Sequence, residues 1–156
     1  MKLNNNSQLT LFHPLFSSYA ISEKLNVMTN CKMEDNDAIE FTHAVRCVNA
    51  ALLSENVDFN TLLHATVIFT ENGFLEFSEE DDNTYATTTN IITYRLNKIR
   101  PASNKMRMFA YTEELCHHFW YIEDEICVKH KVLEVLNLGG MKCSIDDMRK
   151  EGINVY

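Results

Sequence analysis

The helix-periodic run from Lys105 to about Tyr121 restricts the possible folds more than any other segment, because it is apolar on two sides. At 100° per residue, Met108, Tyr111, Leu115, Phe119 and Ile122 form one stripe, expected to face a sheet. Met106, Ala110 and Trp120 fall on roughly the opposite side. A helix apolar on both sides must be covered on both, so it belongs inside a layered structure. Ser103 or Asn104 is its expected N-cap. A second helix is expected from about Asp124 to Leu136, closed by Gly139 and Gly140. A last short one is expected in S-I-D-D-M-R-K-E, capped by Ser144 and stopped by Gly152.

Upstream the period changes twice. Asp37 to Glu55 reads as a helix with Asn36 or Asp37 as N-cap and Ile39, Val45, Val48, Leu52 and Leu53 as its apolar stripe. Thr61 to His64 is expected to add a short helical turn. A-T-V-I-F-T (65–70), E-N-G (71–73) and F-L-E-F (74–77) then read as a hairpin, and T-T-T-N-I-I-T-Y-R-L (87–96) as a further strand. The expected class is α+β: a short mixed or antiparallel sheet of about three strands, an N-terminal helix, and a long helix followed by others. The 156 residues suit a single domain, with 1–33 as a poorly patterned arm and 137–156 as a tail carrying the short helix. Within the arm, Leu9 to Tyr19 is interrupted by Pro14 and reads as irregular chain or a short helix.

Charge and cysteine usage narrow the function classes. A net charge of −8 argues against nucleic acid or an anionic membrane as partner, since both call for clustered Lys and Arg. Five scattered cysteines without C-x-x-C spacing argue against a disulfide framework or zinc ribbon and suit a reducing cytoplasm. The N-terminal M-K-L-N-N-N-S-Q has no apolar core of a signal peptide, and no run approaches a membrane span. Five carboxylates in Glu76–Asp82 and three in Glu34–Asp37 read as solvated loops; neither has the spaced calcium-loop pattern.

The chemistry concentrates in T-E-E-L-C-H-H-F-W-Y-I-E-D-E, Thr112 to Glu125. Glu113 and His117 are one helical turn apart on an otherwise apolar side, where an unpaired charge is costly. The same spacing lets a helix present a carboxylate oxygen and an imidazole nitrogen to one metal ion, a mixture suited to zinc, iron or manganese. Glu114 and His118 form a second such pair. The competing reading is two ordinary i, i+4 pairs, each contributing only about 0.2–0.5 kcal/mol. A third ligand has to come from further along, where Glu123, Asp124, Glu125, His130 and Glu134 follow.

The segment M-F-A-Y-T-E-E-L-C-H-H-F-W resembles the active-site helix of zincin metallopeptidases, which reads apolar-x-x-H-E-x-x-H, often H-E-L-x-H-H followed by aromatic residues. Glu114, Leu115 and His117 match in register, and Glu113 stands where the first metal-binding histidine would be. The resemblance covers about ten residues in motif and roughly 37–136 in architecture, and looks most like the small zincin-like domains of bacterial and phage genomes. It implies a degenerate or atypical zinc metallopeptidase-like protein acting on, or binding, a peptide or protein. Glu114 would then be the general base. Glu113, His117 and one downstream acid, Glu123 first, with Glu125, Glu134 or His118 as alternatives, would be the zinc ligands.

Rival readings attach to the same residues. Glu40–His43 and Glu114–His117 are both E-x-x-H pairs, as in di-iron bundles, but the β-rich centre leaves no room for two more helices. Cys116 lies about 100° from His117 around the helix, which disfavours a thiol–imidazole pair. A non-catalytic interaction or regulatory domain on the same scaffold, docking a basic partner through the acidic loop Glu79–Asp82, is the non-enzyme alternative.

Overall fold

The computed structural model describes residues 9–11, 18–72 and 90–156. Among them the strands are β1 (Thr10–Leu11), β2 (Leu25–Thr29), β3 (Ala65–Thr70) and β4 (Ile91–Arg95). The helices are α1 (Asp35–Ser54), α2 (Leu96–Ile99), α3 (Asn104–Trp120), α4 (Glu125–Leu138) and α5 (Ile145–Lys150). The fold is therefore α+β, with a mixed sheet in the order β1-β2-β3-β4. β1 runs antiparallel to β2, while β2, β3 and β4 are parallel, with Val27 opposite Val67 and Val67 opposite Ile92.

This topology corrects two expectations. The arm 1–33 contributes β2, an interior strand of the sheet, and β1. β3 is not half of a hairpin, because both its edges are taken by parallel neighbours; the proposed partner 74–77 lies outside the described residues. Parallel neighbours need a long crossover. α1 supplies it between β2 and β3, and the run T-V-I-F reads as it does because β3 is covered on both faces, with Val67, Ile68 and Phe69 at 0–2% exposure.

α1 begins at Asp35 rather than Asp37, with Glu34 as N-cap and its N–H donating to the Asp37 carboxylate at 2.9 Å. Its buried face is Phe41, Ala44, Val45, Val48 and Leu52, so Ile39 and Leu53 from the expected stripe are left more than half exposed. The expected turn at 61–64 is a 3-10 turn at Phe59–Thr61. α3, α4 and α5 follow the expected boundaries closely, and Ser103, Asp124 and Ser144 cap them through side-chain oxygens.

The core sits where α1 and α3 meet the sheet. Phe41 of α1, Phe69 of β3, Tyr94 of β4 and Tyr111 of α3 form a four-ring cluster with centroids 5.0–6.2 Å apart. The Tyr94 hydroxyl donates to the Tyr111 carbonyl at 2.7 Å, fixing α3 against β4. α4 packs on both α1 and α3. The stripe of α3 is spent as its pattern requires: Met108, Tyr111, Leu115 and Phe119 are buried.

Candidate functional site

α3 ends at Trp120, and Tyr121 takes up a left-handed conformation (φ 53°) that turns the chain back. Three residues later Asp124 caps α4, accepting from the amides of Ile126 and Cys127 at 3.0 and 2.7 Å. Two helices joined by so short a turn run antiparallel. The last turn of α3 therefore faces the first turn of α4.

The turn brings the Ile122 carbonyl onto the His117 ring, and Nδ1 donates a short hydrogen bond to it. That bond places the proton on Nδ1 and leaves the Nε2 lone pair unused in the neutral ring. Nε2 lies 3.9 Å from Oε1 of Glu125. A protonated His117 at the end of α3 and an ionised Glu125 at the start of α4 would each also complement a helix dipole.

One turn earlier on α3, Glu113 lines an open cleft of about 310 Å³ with Met106, Phe109, Glu125, Lys129 and the tail residues Gly152–Asn154. Its Oε1 atom is shut off from solvent and has no hydrogen-bond partner among the described residues. Burial pushes the Glu113 carboxyl above the ordinary range, and the carboxylates of Glu114 and Glu125 add to this; Lys129 and His117 pull the other way. Lys129 makes no hydrogen bond or ion pair with any described residue.

The structure thus brings Glu113, His117 and Glu125 to one end of the α3–α4 pair and leaves the other sequence candidates elsewhere. Glu123 is exposed in the turn. Glu134 pairs with Lys131 at 3.1 Å, and His118 bonds through Nε2 to the Leu63 carbonyl at 3.0 Å. Glu114 is exposed on the neighbouring flank of α3 and is not among the residues lining the cleft. Trp120 is a strut: its Nε1 donates to Glu55 at 2.7 Å, and Lys131 lies over its ring while bonded to the same carboxylate.

Two donors on one tetrahedral zinc stand about 3.3 Å apart, given metal–ligand distances near 2.0–2.2 Å. The His117–Glu125 separation of 3.9 Å is longer than that. Among the described residues, no three His, Cys, Asp or Glu side chains are gathered closely enough to hold a metal ion in this arrangement. The donor types themselves, one imidazole and two carboxylates, are chemically suited to zinc.

The rival pairings resolve elsewhere. Glu40 is consumed by Arg107 and Asn104 at 2.6–2.9 Å, and His43 bonds to Arg46. Cys116 is fully buried, and burial drives its thiol far above the range where a thiolate exists. The acidic loop 79–82 lies outside the described residues. Sequence reasoning missed Lys129 and the C-terminal wall of the cleft. The Glu125–Lys129 spacing of one turn, set against Glu113–His117 on an antiparallel neighbour, is the signal that would have found the lysine.

Among the described residues no helix is long and apolar enough to cross a membrane. No family model, curated protein or solved structure matches the chain.

Proposed function

We propose that the chain is an atypical zincin-like protein of the cytoplasm, whose α3–α4 cleft binds zinc through Glu113, His117 and Glu125 and acts on peptide bonds. The observation that carries this reading is the state of His117. Its Nδ1–H is fixed on a backbone carbonyl and its Nε2 is turned toward a carboxylate 3.9 Å away. Metal-ligating histidines are held in this way, one nitrogen donating to a carbonyl and the other left for the ion.

Two further features support it. The unpartnered Oε1 of Glu113 is costly in its present state, and a cation would compensate it. Glu125 is largely exposed, so a change of rotamer is open to it that would shorten the gap to His117. When bound, zinc would supply an activated water, though two anionic donors would make it a weaker Lewis acid than a two-histidine site does. The zincin resemblance implies Glu114 as the base that takes up the water's proton; its carboxylate would have to turn from the neighbouring flank of α3 to reach a water in the cleft.

The second reading is a metal-free interaction domain on the same scaffold. Lys129 favours it, because a cation already lines the cleft with Glu113.

Metal analysis of protein purified without a histidine tag separates the two. The zinc reading expects about one equivalent, lost in Glu113→Ala and His117→Ala and weakened in Glu125→Ala. Glu114→Gln should keep the metal and abolish peptide hydrolysis. Metal-free protein whose stability is unchanged by these substitutions would remove the zinc site.

A further inference from the structure

We propose that the cleft formed by α3, α4 and the C-terminal tail receives a guanidinium group on an apolar stem, the arginine side chain of a peptide or protein partner. The inference goes beyond the zinc reading and needs no metal. It draws on Glu113 and Glu125, as that reading does, so metal and guanidinium exclude one another. The two glutamates line the cleft from facing helices, with Lys129 as the third charged group. Two carboxylates against one ammonium leave the lining net negative, which favours a cation. Lys129 does not fill that role itself. It makes no hydrogen bond or ion pair with a described residue, and its pull on the Glu113 carboxyl is outweighed by burial. The Oε1 atom of Glu113 is a second, independent sign. A buried carboxylate oxygen with no donor among the described residues is costly, and an incoming N–H relieves it. The terminal torsion of a glutamate is soft, so either oxygen can be presented to the cleft.

The apolar lining decides which cation is taken. Met106, Phe109 and Ile153 share the cleft with the carboxylates. A guanidinium is planar and weakly hydrated, and it can lie on an aromatic face while its fork of N–H groups donates to carboxylates. An ammonium is compact and strongly hydrated, and it gives up more on leaving water. A volume of about 310 Å³ is at the lower end of small-ligand sites, which suits one side chain rather than a folded segment. Gly152 and Asn154 complete the lining, and the Asn154 side chain is already held by the Tyr156 amide at 3.1 Å. Lys129 repels the incoming charge, so it limits the affinity, and its neutralisation should tighten binding.

Binding is followed by amide chemical shifts on the full chain, freed of metal with a chelator. The probes are N-acetyl-argininamide, its neutral near-isostere N-acetyl-citrullinamide, N-acetyl-lysinamide, and the guanidinium ion alone. The arginine probe is expected to bind about tenfold more tightly than each of the others, the margin of one charge-assisted hydrogen-bonded pair. Its shifts should centre on Phe109, Glu113, Glu125 and Ile153. Glu113→Gln and Glu125→Gln should each weaken it several-fold, and Lys129→Gln should tighten it. Equal binding of the arginine and citrulline probes would overturn the site. So would an arginine preference that survives in the folded Glu113→Gln/Glu125→Gln double variant. Binding of the lysine probe or of free guanidinium as tightly as the arginine probe would overturn the choice of a guanidinium on a stem. The protein is metal-free throughout, so these outcomes do not depend on zinc uptake, and either reading can fail while the other stands.

Discussion

Glu113 concentrates the conflict between folding and function in a single side chain. Burial shifts its carboxyl toward the neutral form, and one oxygen has no partner among the described residues. A carboxyl whose folded-state pKa is raised binds its proton more tightly folded than unfolded. Stability therefore falls as pH rises from the ordinary carboxylate range through the raised value. Glu113→Gln is expected to raise the melting temperature at neutral pH, with the gain fading as the pH drops below about 4, where both states carry the proton. Paired thermal melts at pH 7 and pH 4 would check this. A gain of equal size at both would show that packing, and not ionisation, is responsible. His117 differs in kind: its bond to the Ile122 carbonyl gives it a structural role whether or not a metal is present. The E-x-x-x-H spacing was readable from the chain, and it did place both residues on one side of α3. What no spacing could tell was that Glu125, rather than Glu123, turns toward the imidazole, because that depends on the left-handed turn at Tyr121.

Among the elements, the end of α4 approaches α1 closely at Gly139. A Cβ added at Gly139 would stand 2.1 Å from Sγ and 2.8 Å from Cβ of Cys47, and φ at Gly139 is an ordinary −72°. The glycine is needed here for space and not for backbone freedom. Gly139→Ala is expected to destabilise the chain by about 1–3 kcal/mol, the usual cost of overpacking. Cys47→Ala in the same chain should recover part of the loss, since the two sites share one contact; chemical denaturation of the four species gives the coupling directly. The helix boundaries were legible because 3.6-residue periodicity and capping residues act locally: Ser103, Asp124 and Ser144 each bond amides within three residues of themselves. β2 was not. L-N-V-M-T is only five residues long and is flanked by S-E-K and N-C-K, and its place is fixed by β3, some forty positions away. The mistaken hairpin has the same origin. A turn signal after β3 is visible locally, whereas occupation of both its edges by parallel strands is a property of the assembled sheet.

Across the whole molecule, sheet and helices are held together by two different means. The aromatic cluster of Phe41, Phe69, Tyr94 and Tyr111 ties sheet to helices through packing, and Phe41→Ala is expected to cost about 3–5 kcal/mol. Beside it, Arg100 joins distant segments through charge. It bonds Asp37 of α1 at 2.8 Å, the Lys32 carbonyl at 2.9 Å and Glu71 after β3 at 3.0 Å. Asp37 is almost wholly buried, so Arg100→Ala leaves a buried carboxylate without its main counter-charge and is expected to cost about 3 kcal/mol. Adding Asp37→Asn to that variant should restore part of the loss, measured by the shift of the denaturation midpoint. With the fold anchored at these places, the α3–α4 end carries three groups without a hydrogen-bond partner among the described residues: the Glu113 oxygen, the His117 Nε2 and the Lys129 ammonium.

The claim that these groups form a metal site is tested most directly at the nitrogen itself. Long-range proton–nitrogen spectra of the uniformly labelled chain, recorded at a pH where the ring is neutral, should show His117 protonated on Nδ1, with Nε2 bare. On titration with zinc, the account predicts that the His117 Nε2 resonance moves to a metal-bound position and saturates at one equivalent, with Nδ1 still bonded to the Ile122 carbonyl. A His117 ring whose two nitrogens stay unchanged under excess zinc, in protein that remains folded, would contradict it.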